Sequence, residues 1–237
     1  MPDFSQRSSG NELMDDLQAS GGQLHQALRE LDAINYVLGG NYVTLNGLSQ
    51  LLNSQDARKP LHIADLGCGS GDMLTLIRRL LVKRDRDARL TGIDANPNVV
   101  RYAQLHTPAA CRIDYEVLSI FSQEFKNRKF DIVIGTLFFH HFTTSELIVF
   151  LKQLKHQVCV GLIINDIHRH WFAYYTIKWL THFFSRTPMV KHDAPVSVLR
   201  AFKKHELVEI LRQAGFTNYR IRWRWAFRWQ VVVVFNK

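Results

Sequence analysis

The chain has 237 residues, with 30 Lys and Arg against 21 Asp and Glu, which gives a formal net charge of +9 at neutral pH. Because 46% of the residues are hydrophobic and 22% are charged, the composition excludes a disordered tail, a collagen-like fibre and a disulfide-stabilised miniprotein. Three widely separated cysteines favour a reducing compartment, and we find no signal-peptide pattern and no apolar run of membrane length. We therefore expect a soluble protein of the cytoplasm.

The positive charge is concentrated near the C-terminus. Residues 168–237 hold 13 basic and 3 acidic side chains. Such a segment suits nucleic acid, an anionic membrane surface or an acidic ligand, and it also suits a plain solvated face. The composition alone does not distinguish these four possibilities.

The first 60 residues have a helical pattern. Residues 1–10 are polar and are expected to fray, whereas leucines and isoleucines recur every three or four positions between residues 11 and 53. The segment 53–60 reads NSQDARKP and is expected to be a linker that ends in a proline. We therefore divide the chain into an N-terminal helical cap, residues 1–56, and a second domain, residues 57–237.

After the linker, short apolar segments alternate with amphipathic ones, which is typical of an open α/β sheet with parallel strands. The predicted strands are residues 61–66, 90–93, 115–118, 130–135, 158–164, 218–225 and 229–235. The predicted helices are residues 72–83, 97–105, 145–156, 171–184 and 205–214. The last two strands are close in sequence and are expected to pair as an antiparallel hairpin.

A glycine-rich loop follows the first of these strands, where residues 63–72 read IADLGCGSGD. Gly67, Gly69 and Gly71 permit a tight turn and let a ligand lie directly against the backbone. The dinucleotide pattern GxGxxG and the phosphate-binding pattern GK[ST] are both absent. Asp65 precedes the loop, and the loop contains no lysine, so a ligand with a cationic end fits better than one led by phosphates. The alternative is a glycine turn that binds nothing.

A second acidic residue completes the pattern. Asp94 ends the second predicted strand, 23 residues after Gly71, where an acid reaches ribose hydroxyls. Glycines, Asp65 and Asp94 together describe a pocket for an adenosine ligand that carries a positive charge and no phosphate, such as S-adenosylmethionine. The sequence DLGCGSGD followed by this acid resembles the bacterial, small-molecule class I S-adenosylmethionine-dependent methyltransferases, mainly over residues 60–166.

This resemblance implies a Rossmann-like seven-stranded, mostly parallel sheet with an antiparallel C-terminal hairpin and an N-terminal helical cap. It also implies S-adenosyl-L-methionine as the cofactor. The family commonly has an Asp near position 119 that contacts the adenine amino group, where this chain has Ser119. Either Ser119 or a backbone group takes the place of that Asp, or the adenine is bound less tightly. The residues expected to contact the cofactor are Asp65, Gly67, Cys68, Gly69, Gly71, Asp94, Ala95, Ser119, Ile120 and Thr136.

Ionisable side chains follow the fourth and fifth strands, at the edge where an acceptor would bind. His140 and His141 come after the fourth strand, and Asp166, His168 and Arg169 come after the fifth. Methyl transfer needs alignment of the nucleophile and, where a proton must leave, a general base. We expect His140, His141 and Asp166 to be catalytic, and His168 and Arg169 to position the acceptor.

Each of these residues also has a purely structural interpretation. Either histidine of the pair could cap the next helix, and Asp166 could form an ordinary ion pair with Arg169. A metal site built from His140, His141, Asp166 and His168 is conceivable, but a ligand spacing such as HExxH is missing, so we predict no metal.

Residues 171–184 read WFAYYTIKWLTHFF and predict a helix that is apolar nearly all round. We expect this helix, within an insertion at residues 168–202, to roof the acceptor pocket with Trp171 and Tyr175. That predicts a lipophilic acceptor of aromatic or polyketide-like type. Simple packing and a membrane-surface role are the alternatives.

The segment 219–225 alternates arginines with Ile221, Trp223 and Trp225, which predicts a half-buried strand with its arginines in water. Arginines beside aromatic residues are also typical of RNA binding, although a target-base motif such as NPPY is missing after the fourth strand. We expect a methyltransferase that acts on an oxygen or carbon nucleophile of a small molecule. An RNA methyltransferase and a non-catalytic S-adenosylmethionine-binding protein are the alternatives.

Overall fold

The computed structural model describes residues 2–56 and 59–235. Its strands are β1 (Leu61–Leu66), β2 (Ala88–Asp94), β3 (Ile113–Val117), β4 (Phe130–Thr136), β5 (Val158–Ile167), β6 (Tyr219–Arg224) and β7 (Arg228–Val234). Its helices are α1 (Gly21–Val37), α2 (Gly40–Leu52), α3 (Asp72–Lys83), α4 (Pro97–His106), α5 (Gln123–Lys126), α6 (Thr144–Gln157), α7 (Trp171–Phe184), α8 (Pro188–Arg200) and α9 (Lys204–Gln213). Within the described ranges, no helix is both long enough and apolar enough to cross a membrane.

The seven strands form one sheet in the order β3-β2-β1-β4-β5-β7-β6. All neighbours are parallel except β5 with β7 and β7 with β6, which are antiparallel. The predicted Rossmann-like sheet with a C-terminal hairpin is therefore confirmed. Chain order reverses between β1 and β4, and the crevice at such a point is where open α/β sheets bind ligands.

The N-terminal helices pack directly on this sheet. Leu48 and Leu51 of α2 are buried in the same apolar cluster as Ile63 of β1 and Ile163 of β5. A Cβ atom added at Gly47 would lie 3.1 Å from the Ile163 side chain, so α2 lies close against β5. The boundary predicted after residue 56 adjoins residues 57 and 58, which lie outside the described residues.

The N-terminal segment, residues 2–20, is held in place rather than frayed, so the expectation for residues 1–10 was wrong over the part described. Arg7 donates through Nη2 to the carbonyl oxygens of His140 and Phe142 at 2.9 and 2.7 Å. The backbone N–H of Ser8 donates to the carbonyl of Leu199 at 3.0 Å. This segment therefore crosses the carboxyl edge of the sheet and joins β4's loop to the end of α8.

Two aromatic regions differ from expectation. Trp223 and Trp225, predicted to face inward, are 51% and 75% exposed because β6 is the outermost strand of the sheet. Helix α7 has its predicted bounds, but its large aromatic side chains point mostly to the outside. Helix α8, which contains Pro195, was not predicted.

Candidate functional site

A cavity of about 600 Å³ lies at the carboxyl ends of β1, β2 and β4. It is lined by loop residues of the sheet, by the N-terminal segment, and by α1 and α8. The residues predicted for the site that line it are Asp65, Gly67, Cys68, Gly69, Asp94, Ala95, Ser119, Thr136, His140 and His141. Gly71, Ile120 and Asp166 are neighbours of this wall but not part of its lining.

The glycine loop forms the floor of the cavity. Gly67 has a φ of +63°, and a Cβ atom at this position would lie 2.3 Å from the ring of Phe138. Gly69 has a φ of +53°, with open space where its Cβ would be. The loop therefore needs glycine for its conformation, and at Gly69 it leaves bare backbone facing the cavity.

Four carboxyl groups gather beside this loop, from Asp32, Asp65, Asp72 and Asp94. Burial and the nearby charge of Asp94 raise the pKa of Asp65 well above its usual range, and burial also raises the pKa of Asp94. Asp65 Oδ1 is buried without a hydrogen-bond partner among the described residues. A cationic ligand would stabilise the ionised carboxylates, and its N–H and O–H groups could donate to Asp65 and Asp94. S-adenosylmethionine carries both a positive charge and such donors.

Two other predicted contacts have defined positions in the wall. Ser119 Oγ accepts from the backbone N–H of Phe121 at 3.3 Å, so the side chain also shapes its own turn. Thr136 Oγ1 lies 2.8 Å from Thr44 Oγ1, and Asn165 Nδ2 donates to the same Thr44 oxygen at 2.9 Å. These bonds join α2 to β4 and β5 under the cavity.

Opposite the glycine loop, His140 and Asp166 form a buried pair. His140 Nδ1 lies 2.7 Å from Asp166 Oδ1, and the backbone N–H of His140 donates to Asp166 Oδ2 at 3.1 Å. Strand β5 runs to Ile167, three residues further than predicted, which places Asp166 in the sheet beside β4's loop. The carboxylate therefore fixes the imidazole with Nε2 on the side away from Asp166.

Glu12, from the N-terminal segment, lies beside that nitrogen. Its Oε1 is 3.4 Å from His140 Nε2, and both side chains are buried. Burial alone would lower the pKa of His140, but the carboxylates of Asp166 and Glu12 outweigh this effect and raise it to about 9. The same pairing keeps the pKa values of Glu12 and Asp166 below their usual range, even though burial acts in the opposite direction.

His141 is held by a second acid of the same segment. Its Nδ1 lies 2.6 Å from Asp15 Oδ1, while Arg200 Nη1 donates to Asp15 Oδ2 at 2.5 Å. Arg200 also donates to the backbone carbonyls of His141 and Gly10. The end of α8 therefore connects the histidine pair to the N-terminal segment.

The comparisons with known proteins agree with this geometry. Residues 63–159 match the family described as methyltransferase domain. The malonyl-acyl-carrier protein O-methyltransferase of Acetivibrio thermocellus is 33% identical over 131 residues, which are 52% of this chain and 43% of that protein. The fold is the one that S-adenosylmethionine-dependent methyltransferases share, and residues 63–159 of this chain are similar to their methyltransferase domain. The chain spans less than half the length of this curated relative.

Solved structures of methyltransferases share the fold over most of their length. The plantazolicin methyltransferase BpumL in complex with S-adenosylhomocysteine has a TM-score of 0.65 at 15% identity, with 91% of this chain and 96% of that chain covered. The magnesium protoporphyrin IX methyltransferase of Synechocystis PCC 6803 with bound S-adenosylmethionine has a TM-score of 0.56 at 14% identity, with 94% and 89% covered.

Four residues that were expected to contact the acceptor do not line the cavity. His168 packs against the ring of Trp229, with centroids 4.9 Å apart. Arg169 is fully buried and its Nη2 lies 2.6 Å from Glu206 Oε1, so the ion pair considered between Arg169 and Asp166 is wrong. Trp171 and Tyr175 are about half exposed on α7 and do not line the cavity.

Sequence reasoning missed Glu12, Asp15 and Arg200. The pattern Glu12-Leu13-Met14-Asp15 signals a local turn, in which the backbone N–H of Glu12 donates to Asp15 Oδ2 at 3.1 Å. Nothing local shows that these acids meet histidines about 130 residues away. The glycine loop and its carboxylates thus supply one wall of the cavity, whereas the histidine pair after β4, the N-terminal segment and α8 supply the opposite one.

Proposed function

We propose that this chain transfers the methyl group of S-adenosylmethionine to an oxygen or carbon nucleophile of a small, largely apolar molecule. The observation that carries this proposal is a single cavity that joins the glycine loop and its carboxylates to the His140–Asp166 pair. One wall suits a cationic nucleoside, and the opposite wall carries groups that exchange protons.

Asp94 would hold the ribose hydroxyls, Asp65 lies where it would meet a cationic group, and the backbone of Gly67 and Gly69 would line the ligand. When bound, S-adenosylmethionine supplies an electrophilic methyl group on its sulfonium. The protein need only exclude water, align the acceptor and take up the proton that the acceptor loses.

The Glu12–His140 pair is suited to accepting that proton. Asp166 is bonded to Nδ1 of His140, so the proton of His140 that can exchange is the one on Nε2, beside Glu12 Oε1. Two carboxylates flank one imidazolium here, so Glu12 remains ionised and its Oε1 has no hydrogen-bond partner within the described residues. A hydroxyl or activated C–H of the acceptor would lose its proton to the Glu12 carboxylate of this pair as its nucleophile takes the methyl group and S-adenosylhomocysteine leaves.

The lining also supports a lipophilic acceptor. Met14, Leu17, Leu31, Phe142 and Ile167 contribute apolar surface to the cavity. The support comes from these residues and not from α7, which contributes no side chain to the lining of the cavity. An acceptor with an acidic hydroxyl on an apolar body, such as a phenol or a polyketide enol, matches both properties of this wall.

The test has two stages. Thermal stability is first measured with S-adenosylhomocysteine, NAD and ATP, with Asp94→Ala as the site variant and Asp114→Ala, a surface acid of β3, as the matched control. A ligand at 100 times its dissociation constant stabilises the native state by about 2.7 kcal/mol. We expect stabilisation by S-adenosylhomocysteine alone, weakened in Asp94→Ala and unchanged in Asp114→Ala.

Turnover is then measured with isotope-labelled S-adenosylmethionine against a panel of phenols, enols and RNA oligonucleotides. Methylation confined to the small molecules supports the proposal, whereas methylated RNA would replace it with the RNA methyltransferase function. Tight cofactor binding without turnover on any acceptor would indicate a non-catalytic binding protein.

A further inference from the structure

Two buried polar atoms face each other across the acceptor half of the cavity without hydrogen bonds. Glu12 Oε1 and His140 Nε2 are 3.4 Å apart, and neither has a hydrogen-bond partner in the part of the chain that the structure describes. The other polar atom of each side chain is occupied. Glu12 Oε2 accepts from Ser197 Oγ at 2.8 Å, and His140 Nδ1 is bonded to Asp166. Both side chains are therefore fixed with their unpaired atoms pointing together.

A third donor is adjacent. His141 Nδ1 lies 3.9 Å from Glu12 Oε1, and the rings of His140 and His141 are 4.3 Å apart. One ligand atom from each of the three residues falls within 4.8 Å of the other two. Metal–ligand bonds of about 2.0–2.2 Å place neighbouring ligand atoms roughly 3–3.5 Å apart, so this spacing suits one ion after small adjustments.

The surrounding contacts are those of a supported metal ligand. A histidine that binds a metal usually donates its other ring nitrogen to a carboxylate, which is how Asp166 holds His140. His141 differs in this respect, because Asp15 bonds Nδ1, the same ring nitrogen that lies 3.9 Å from Glu12 Oε1. An ion bound at this nitrogen would displace Asp15, which Arg200 would still hold close by. The metal site considered from the sequence, where no metal was predicted, also included Asp166 and His168. In the structure Asp166 bonds the other ring nitrogen of His140, and His168 packs against Trp229.

We propose that Glu12, His140 and His141 bind a divalent transition-metal ion of the zinc class. One carboxylate and two imidazoles suit zinc and its neighbours in the first transition row, and they suit magnesium poorly. Three protein ligands leave a coordination position that faces the cavity. A bound ion would take the place of the proton on His140. In that state the ion, and not the Glu12–His140 pair, would favour the anion of the acceptor's hydroxyl, whose proton would leave to solvent. The role of the ion, but not its binding, rests on the proposed function.

The test measures binding rather than activity. Chelator-treated, dialysed protein is titrated calorimetrically with Zn²⁺, and Co²⁺ is added separately while its visible d–d absorption is recorded. We expect one equivalent of Zn²⁺ with a dissociation constant in the micromolar range or tighter, and an intense Co²⁺ spectrum of low coordination number. Glu12→Gln and His140→Ala should each weaken Zn²⁺ binding at least 100-fold, whereas the surface controls Glu209→Gln and His182→Ala should not change it.

Less than about 0.2 equivalents of bound Zn²⁺ in the wild type, or unchanged binding in Glu12→Gln, overturns the site. Glu12→Gln keeps the size of the side chain, and its melting temperature shows whether it folds. Binding of S-adenosylhomocysteine is measured on the same samples. Metal-free protein that binds this ligand and turns over at the wild-type rate overturns the ion's role but leaves the methyltransferase function standing.

A second observation concerns the outer surface of α7. Trp171, Phe172, Tyr175, Trp179 and Phe183 are 48–62% exposed. At 100° per residue these positions fall on an arc of about 120°, which we call the α7 aromatic stripe. The opposite side of the helix is packed inward through Ala173, Tyr174 and Thr181. This stripe is a far larger exposed apolar feature than single scattered side chains.

The charges around the stripe have one sign. The segment from Trp171 to His192 contains no acidic residue, and Lys178, Arg186 and Lys191 are exposed along it. Tryptophan and tyrosine favour the membrane–water boundary, and basic residues attract anionic headgroups. We infer that the α7 aromatic stripe binds the surface of anionic lipid membranes.

Co-sedimentation with vesicles tests this inference. We expect binding to phosphatidylglycerol-containing vesicles, weaker binding to pure phosphatidylcholine, and a decrease with salt. The double variant Trp179→Ser/Phe183→Ser should bind at least 10-fold more weakly, while Val82→Ser/Leu105→Ser, which removes apolar side chains exposed elsewhere, should bind like the wild type. No sedimentation with anionic vesicles, or a wild-type dimer that the α7 variant abolishes, would overturn it.

Discussion

The two walls of the cavity are built in different ways. The cofactor wall comes mostly from one stretch of about 30 residues, in which β1, the glycine loop, α3 and β2 follow one another along the chain. The acceptor wall joins residues 12–15, the histidine pair after β4, Asp166 of β5 and Arg200 of α8. Local sequence therefore specifies the first wall, whereas only the folded chain brings the second together.

Replacing the two histidines should have the largest effect, and it should affect the acceptor wall without affecting the cofactor wall. Replacing His140 and His141 together by Ala is expected to lower kcat at least about 100-fold, because the pair with Glu12 that takes up the acceptor's proton is lost. The affinity for S-adenosylhomocysteine should stay unchanged, since neither ring belongs to the cofactor wall. Steady-state kinetics and calorimetry check this, with His182→Ala as a surface control. A parallel loss of both quantities would contradict the division.

Arg200 tests whether the acceptor wall is held by a long-range ion pair. Arg200→Ala leaves Asp15 and several backbone carbonyls without their donor, and breaking a buried pair in this way costs about 3 kcal/mol of unfolding free energy. Arg212→Ala, which breaks an exposed pair with Glu209, should cost less than about 1 kcal/mol. Urea denaturation measures both, and equal losses would show that Arg200 has no special role.

Replacing Asp94 tests the cofactor wall alone. Hydrogen bonds to a charged group contribute about 1.5–3 kcal/mol, so Asp94→Asn should raise the dissociation constant of S-adenosylhomocysteine about 10- to 100-fold. At saturating cofactor, kcat should remain close to the wild-type value. Asp114→Asn is the matched control. A normal affinity in Asp94→Asn would mean that the ribose is held elsewhere.

The smallest effect concerns Asp32 of α1, which accepts from Ser70 Oγ at 2.8 Å. Burial raises the pKa of Asp32 to about 6, so the stability that protonation provides is complete below pH 3.8 and is lost as the pH rises through 6. Above pH 6, Asp32→Asn should be more stable than the wild type by on the order of 1 kcal/mol, after allowance for partial exposure. Thermal melts of the ligand-free proteins from pH 3.5 to 8 should show this gain disappear below pH 4.

Sequence reasoning reached the sheet because each strand carries its own apolar run and each turn its own glycine or proline. It failed at α8 because Pro195 and an uneven apolar pattern hide the helix, which is fixed by the contacts of Asp193 and Arg200 with the N-terminal segment. It assigned Trp223 and Trp225 to a buried face because alternation alone does not reveal that β6 is an edge strand.

The same contrast applies within the site. The site residues predicted between Asp65 and Asp94 follow from spacing, and all of them except Gly71 line the cavity. The partner of Asp166 could not be read in that way, since Arg169 is three residues away and His140 is 26, yet the histidine is the residue that the carboxylate binds. Proximity along the chain favoured Arg169. In the fold, β4 and β5 lie side by side, and this brings His140 to Asp166 instead.

The bond between Asp15 and Arg200 spans 185 residues, which has a consequence for synthesis on the ribosome. Residues 12–15 leave the exit tunnel well before α8 (Pro188–Arg200), but they find Arg200 only after α8 has emerged. Until then Glu12 and Asp15 have no histidines or arginine to meet, while the glycine loop can already settle between β1 and β2. The acceptor wall is thus among the last parts of this fold to form, although residues 12–15 are made before any strand of the sheet.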